Sequence, residues 1–141
     1  MKTQQHHRRR RNRQAGNAII EAGLTLSLFM ILIFSLFDFG WVLFLHQTIV
    51  NQARAAARYG AVNPGNTTEI RNLVLYGKTT GSGNGMMGLT PSNVSISRSG
   101  TAGGVDDRIV ITVAGYRYTL VTPGWAGSFR GKDVVVSIPV E

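Results

Sequence analysis

The sequence predicts an α+β protein built from a long N-terminal transmembrane and stalk helix, a short second helix and a three-stranded antiparallel β-sheet. Three observations predict it. From Ala22 to Leu45 a single charged residue, Asp38, interrupts an apolar run. After that run the apolar residues keep helical spacing to about residue 61 and again around residues 70–74, and in the last third they alternate with period two.

The first 15 residues, MKTQQHHRRRRNRQA, lack apolar periodicity and are expected to be disordered. Lys2, Arg8, Arg9, Arg10, Arg11 and Arg13 carry six of the chain's 15 basic charges, so the formal net charge of +8 belongs mostly to this leader. Beyond it nine basic residues face seven acidic ones. A basic block directly before an apolar run reads as the cytoplasmic flank of a membrane span. The block lacks the aromatic residues with which a nucleic-acid arm would stack, so nucleic acid is not an expected partner.

At ~1.5 Å rise per residue the run from Ala22 to Leu45 is long enough to cross a hydrocarbon layer of ~30 Å. A secretory signal has an apolar region of only ~7–15 residues, ending at small residues, and that pattern is not present. Ala53, Ala55, Ala56 and Ala57 continue the helical pattern, so one helix is expected from about residue 18 to residue 61. Ile49, Ala53, Ala56 and Ala57 can form a narrow stripe on it, with Arg54 and Arg58 one turn apart on a solvated face.

Asn63-Pro64-Gly65 stops that helix. Asn66 with Glu69 resembles a capping box, Ile70, Leu73 and Val74 make an apolar face, and Gly77 fits a C-terminal cap. Residues 78–91 are Gly-rich and read as a loop, since no strand precedes Gly81, Gly83 and Gly85 and no Lys-Ser or Lys-Thr follows them as in a phosphate loop. Val94 and Ile96, then Ile109, Ile111 and Val113, then Val134, Val136 and Ile138 alternate with other residues as three strands of a meander. Turn-like breaks fall at residues 99–104 and 123–131, and Pro139 places the last strand at an edge. The domain division expected is a basic cytoplasmic leader at 1–16, the membrane and stalk helix at 17–61, and a small extracytoplasmic α+β domain at 62–141.

Catalysis is not expected. The chain has no cysteine, and past the leader its one histidine is His46. The acids Glu69, Asp106, Asp107, Asp133 and Glu141 are scattered, and no nucleophile, base and orienting group stand at compatible positions. No metal-ligand spacing, cofactor motif or small-molecule site is legible either.

The informative residues sit at the entry to the span. Gly16 follows the basic block, and Glu21, the fifth residue after Gly16, is the one acid before Asp38. A carboxylate there is costly unless paired or near water. Asp38 lies past the midpoint of the span and is expected either to contact another membrane helix or to be buried, neutral, against the chain's own head.

Gly16, Asn17 to Ile20, Glu21 and a long apolar helix resemble the processing site of type IV prepilins. The stretch Phe37-Asp38-Phe39-Gly40, then Asn51 and Ala53-Arg54-Ala55-Ala56-Ala57-Arg58-Tyr59-Gly60, resembles the TadE-like pseudopilins of tight-adherence (Flp pilus) systems, and Tyr116 to Leu120 with Pro123 does so more loosely. The resemblance implies a minor pseudopilin, a structural subunit of the inner membrane whose head lies outside, cut between Gly16 and Asn17 by a prepilin peptidase. Glu21 would then meet the N-terminal amine of a neighbouring subunit and set axial register. Partners implied are other pseudopilin and pilin subunits, the pilus platform membrane proteins and the peptidase. The other class of function the residues allow is a signal-anchored extracytoplasmic binding domain with no filament role.

Overall fold

No proline stands between Gln5 and Val62, and in the computed structural model those 58 residues form one helix, α1. The structure describes residues 5–124 and 127–140, with side chains from Asn17 onward. The expectation of a disordered leader is corrected from Gln5 on: the residues before Gly16 are mostly good helix formers, and a helix nucleated further along extends into them without a second nucleation step. Residues 1–4 lie outside the described residues.

Two halves of α1 differ in what surrounds them. From Asn17 to Phe37 every residue except Ile33 is exposed, with Ile19 at 73% and Phe37 at 72%. From Asp38 onward one face is covered: Asp38, Leu45, Ile49, Ala53, Ala56, Ala57 and Ala61 are buried. Their spacing of three, four and seven residues keeps them on one stripe, and the alanines let other elements come close.

Helix α2, Thr67–Tyr76, buries Ile70, Val74 and Leu75 against α1. Gly77 ends it with φ +66°, a left-handed conformation that glycine adopts without Cβ strain, and its N–H donates to the Leu73 carbonyl. The capping box is corrected. Asn66 holds the N-cap position, but its side chain donates to Glu69 Oε2 (3.2 Å) rather than bonding the backbone. Glu69 also accepts from the Tyr59 hydroxyl, which ties the start of α2 to the end of α1.

After the glycine-rich loop and two single turns of 3-10 helix, the sheet forms. Strands β1 (Val94–Ser99), β2 (Arg108–Val113) and, later in the chain, Val134–Pro139 pair antiparallel with β2 in the centre. Ile96 stands opposite Ile111, and Ile111 opposite Val136. The last strand is an edge, as Pro139 requires. The sheet lays Ile109, Ile111 and Val113 on the stripe of α1, with Ile70, Leu75 and Leu89 completing the core.

The plain meander is corrected. Between the second and third strands of that sheet the chain leaves it to form a separate hairpin, β3 (Arg117–Leu120) with β4 (Gly127–Arg130), which makes Val134–Pro139 the fifth strand, β5. Gly115, at φ +69°, turns the chain out of β2, and the Gly131 N–H returns it by donating to the Tyr116 carbonyl (2.9 Å). Four residues per strand with mixed polarity look, in sequence, like the tail of the preceding strand.

Candidate functional site

The residues expected to carry function are strung along α1 rather than gathered in a cleft. Gly16 and Asn17 lie within the helix, and Asn17 is exposed. Glu21 is exposed one turn further on, and its carboxylate has no hydrogen-bond or ion-pair partner among the described residues. Glu21 and Asp38 are ~25 Å apart along the axis, so they act separately.

The bare half of α1 satisfies its own hydroxyl groups. Thr25 Oγ1 donates to the Glu21 carbonyl (2.9 Å), Ser27 Oγ to that of Gly23 (2.8 Å) and Ser35 Oγ to that of Ile31 (2.8 Å). Each hydroxyl bonds back one turn, so none of the three needs water. The described residues hold one helix long and apolar enough to cross a membrane, within Asn17–Val62.

Asp38 marks the point where the bare half ends. It takes the first place in the buried stripe, seven residues before Leu45, and as a residue is 7% exposed. The Val121 N–H lies 2.9 and 3.0 Å from its two oxygens, the Thr122 N–H donates at 2.8 Å and the Thr122 hydroxyl at 2.5 Å. Thr122 is itself buried. The carboxylate therefore closes a clasp on the chain just past β3, within its own subunit. Eight residues up the helix His46 Nδ1 lies 3.0 Å from the hydroxyl of buried Tyr116. Burial holds the Tyr116 hydroxyl above the usual phenol range. These two contacts make β3 descend along α1 from the level of His46 to that of Asp38.

Sequence reasoning nominated Asp38 but not its partners. Val121 contributes a backbone N–H that any residue except proline has, and 83 residues separate it from Asp38. The polar character of His46 and the burial demand of a tyrosine hydroxyl were the only signals for the second contact, across 70 residues.

A third polar contact lies in the head itself. Asp107, 1% exposed, accepts from Arg98 Nε (2.7 Å) and Nη2 and from the Gly103 N–H (2.8 Å). The Arg98 guanidinium, helped by the Gly103 amide, holds the Asp107 carboxyl down at about 2. It pins the turn between β1 and β2.

Residues 16–58 match the family model of TadE-like proteins. No curated protein and no solved structure shows a significant match to this chain. The matched stretch runs along α1 from the glycine of the expected processing site to Arg58 and includes both Glu21 and Asp38. Along this helix the chain is similar to the TadE-like proteins.

Proposed function

We propose that the chain is a minor pseudopilin, a non-catalytic subunit needed for assembly of a tight-adherence (Flp-type) pilus or a related secretion apparatus. The observation that carries the reading is the division of a TadE-like helix into a bare apolar half and a half buried under the head. From Asn17 to Phe37 the bare half rises ~31 Å, the thickness of a hydrocarbon layer. It anchors the subunit in the inner membrane, with the basic leader in the cytoplasm and residues 62–141 outside. The same apolar face packs against neighbouring subunits when the protein leaves the bilayer for a helical bundle.

In this reading a prepilin peptidase cuts between Gly16 and Asn17, removing the leader's six positive charges and leaving an amine at Asn17. Glu21, unpartnered among the described residues, pairs with that amine in an adjacent subunit. An unpaired carboxylate in a low-dielectric bundle is strongly unfavourable, so the pair sets axial register. Asp38 meets sister helices only across the hairpin that covers it. The working partners are other pseudopilins and pilins, the platform membrane proteins and the peptidase.

N-terminal mass spectrometry of the membrane-bound form tests this. A chain beginning at Asn17 supports it. A chain retaining Met1 overturns the processing step and points to a signal-anchored binding domain instead.

A further inference from the structure

The hairpin β3–β4 has a pattern that neither the head's core nor the clasp explains. Arg117 and Arg130 stand directly opposite each other in register, both exposed, with exposed Lys132 nearby. Like charges so placed repel unless an anion lies between them. Asp133 approaches Arg130 at 3.7 Å, on the exposed surface, and among the described residues no carboxylate meets Arg117. At the other end of the hairpin Val121 is 72% exposed, while Phe129, next to Arg130, is 40% exposed and stacked on Tyr118 at 6.0 Å. Beside the tip, α1 presents Phe37 and Trp41, exposed at 72% and 50%, and about a turn higher Phe44, exposed at 55%. Together with Phe34, Thr119 and Val121 they line one open apolar groove.

The vertical order of these groups is set by the two contacts with α1. The tip is held at Asp38, one residue beyond a bare helix that matches the hydrocarbon thickness. The arginine pair sits three residues up each strand, ~10 Å higher. A headgroup layer is ~5–8 Å deep, within reach of an arginine side chain standing at that height. Aromatic rings at the boundary with basic groups above them form the order that an anionic phospholipid surface accepts.

Resting on the membrane reading above, we propose that the β3–β4 hairpin is a foot set in the outer interface of the bilayer. Val121, Phe37 and Trp41 contact acyl chains, and Arg117 and Arg130 share the phosphates of anionic lipids. The head then stands at a fixed height on the membrane instead of swinging on its helix.

The chain has no cysteine, so single labels can be placed in the full-length protein. Leu28→Cys, Val121→Cys and Ser95→Cys, each carrying an environment-sensitive fluorophore, are reconstituted in phosphatidylcholine vesicles with and without phosphatidylglycerol. The labels at 28 and 121 are expected to be quenched by nitroxide lipids several times more strongly than the label at 95, and iodide in the water is expected to quench in the opposite order. Arg117→Glu with Arg130→Glu is expected to abolish the phosphatidylglycerol dependence at 121 while leaving quenching at 28 unchanged. Lipid quenching at 28 with a label at 121 as wet as that at 95 overturns the foot and leaves the anchor intact. Absence of lipid quenching at 28 overturns both. An unchanged phosphatidylglycerol dependence in the double variant overturns the arginine–phosphate contact.

Discussion

Asp38 is the residue on which the two halves of α1 divide. Replacing it with leucine leaves the N–H groups of Val121 and Thr122 and the Thr122 hydroxyl without their acceptor. Asp38→Leu is expected to free the hairpin, seen as faster proteolytic cleavage between residues 120 and 127, while the helix content measured by circular dichroism stays the same. Thr122→Val removes the hydroxyl donor alone and should give a smaller increase. Asp107 supplies a pH dependence whose sign is fixed. Its carboxyl titrates at about 2 in the folded head, below the ~3.9 of an unfolded chain, so its stabilisation is complete above about pH 4 and is lost as pH falls toward 2. Asp107→Asn should flatten the acid limb of a Tm-against-pH curve, and at neutral pH should lower Tm by on the order of 5 °C. Asp38 was legible in the sequence as charge inside an apolar run, whereas Asp107 read only as one of several scattered acids. Their partners were not, because backbone amides and a distant arginine leave no local pattern.

Elements meet closely at Gly60, in the last turns of α1. A Cβ built there would stand 2.6 Å from Ile109 Cδ1 of β2 and 3.0 Å from Ile70 Cδ1 of α2. The absent side chain lets helix, helix and strand share one point of contact. Gly60→Leu is expected to destabilise the head by about 1–3 kcal/mol through overpacking, read from chemical denaturation. Gly40→Ala is its control: nothing lies within 4 Å of a Cβ there, and alanine favours the helix. Both helices and the three strands of the main sheet were foreseen because period 3.6 and period two extend over whole elements. The β3–β4 hairpin was not, since four residues per strand are too few for periodicity to separate Arg117–Leu120 from the strand before it.

At the scale of the whole molecule the bare half from Asn17 to Phe37 carries more than half of the exposed large apolar side chains among the described residues, and it is predicted to hold the protein in a bilayer. Leu28→Lys places a charge mid-span, which costs about 2.5–3.5 kcal/mol by insertion scales, and is expected to shift protein from the carbonate-resistant membrane fraction to the soluble one. Ser95→Lys, on the exposed side of β1, should leave the distribution unchanged. Glu21→Gln is expected to leave anchoring intact and to reduce crosslinking to neighbouring subunits in assembled material. A loss of anchoring instead would assign Glu21 to the membrane and not to the partner.

By itself the sequence determined that a long apolar helix leads into a small α+β head, because uninterrupted hydrophobicity and repeating periods are properties of neighbouring residues. It also nominated Gly16, Glu21 and Asp38, since an acid inside a greasy run is visible without coordinates. Only the tertiary structure decided where along that run the bare helix ends. Hydropathy treats Ala22–Leu45 as one stretch, and a side chain facing the head is as apolar as one facing lipid; the boundary at Asp38 exists because Val121 and Thr122 fold back across 83 and 84 residues to meet it.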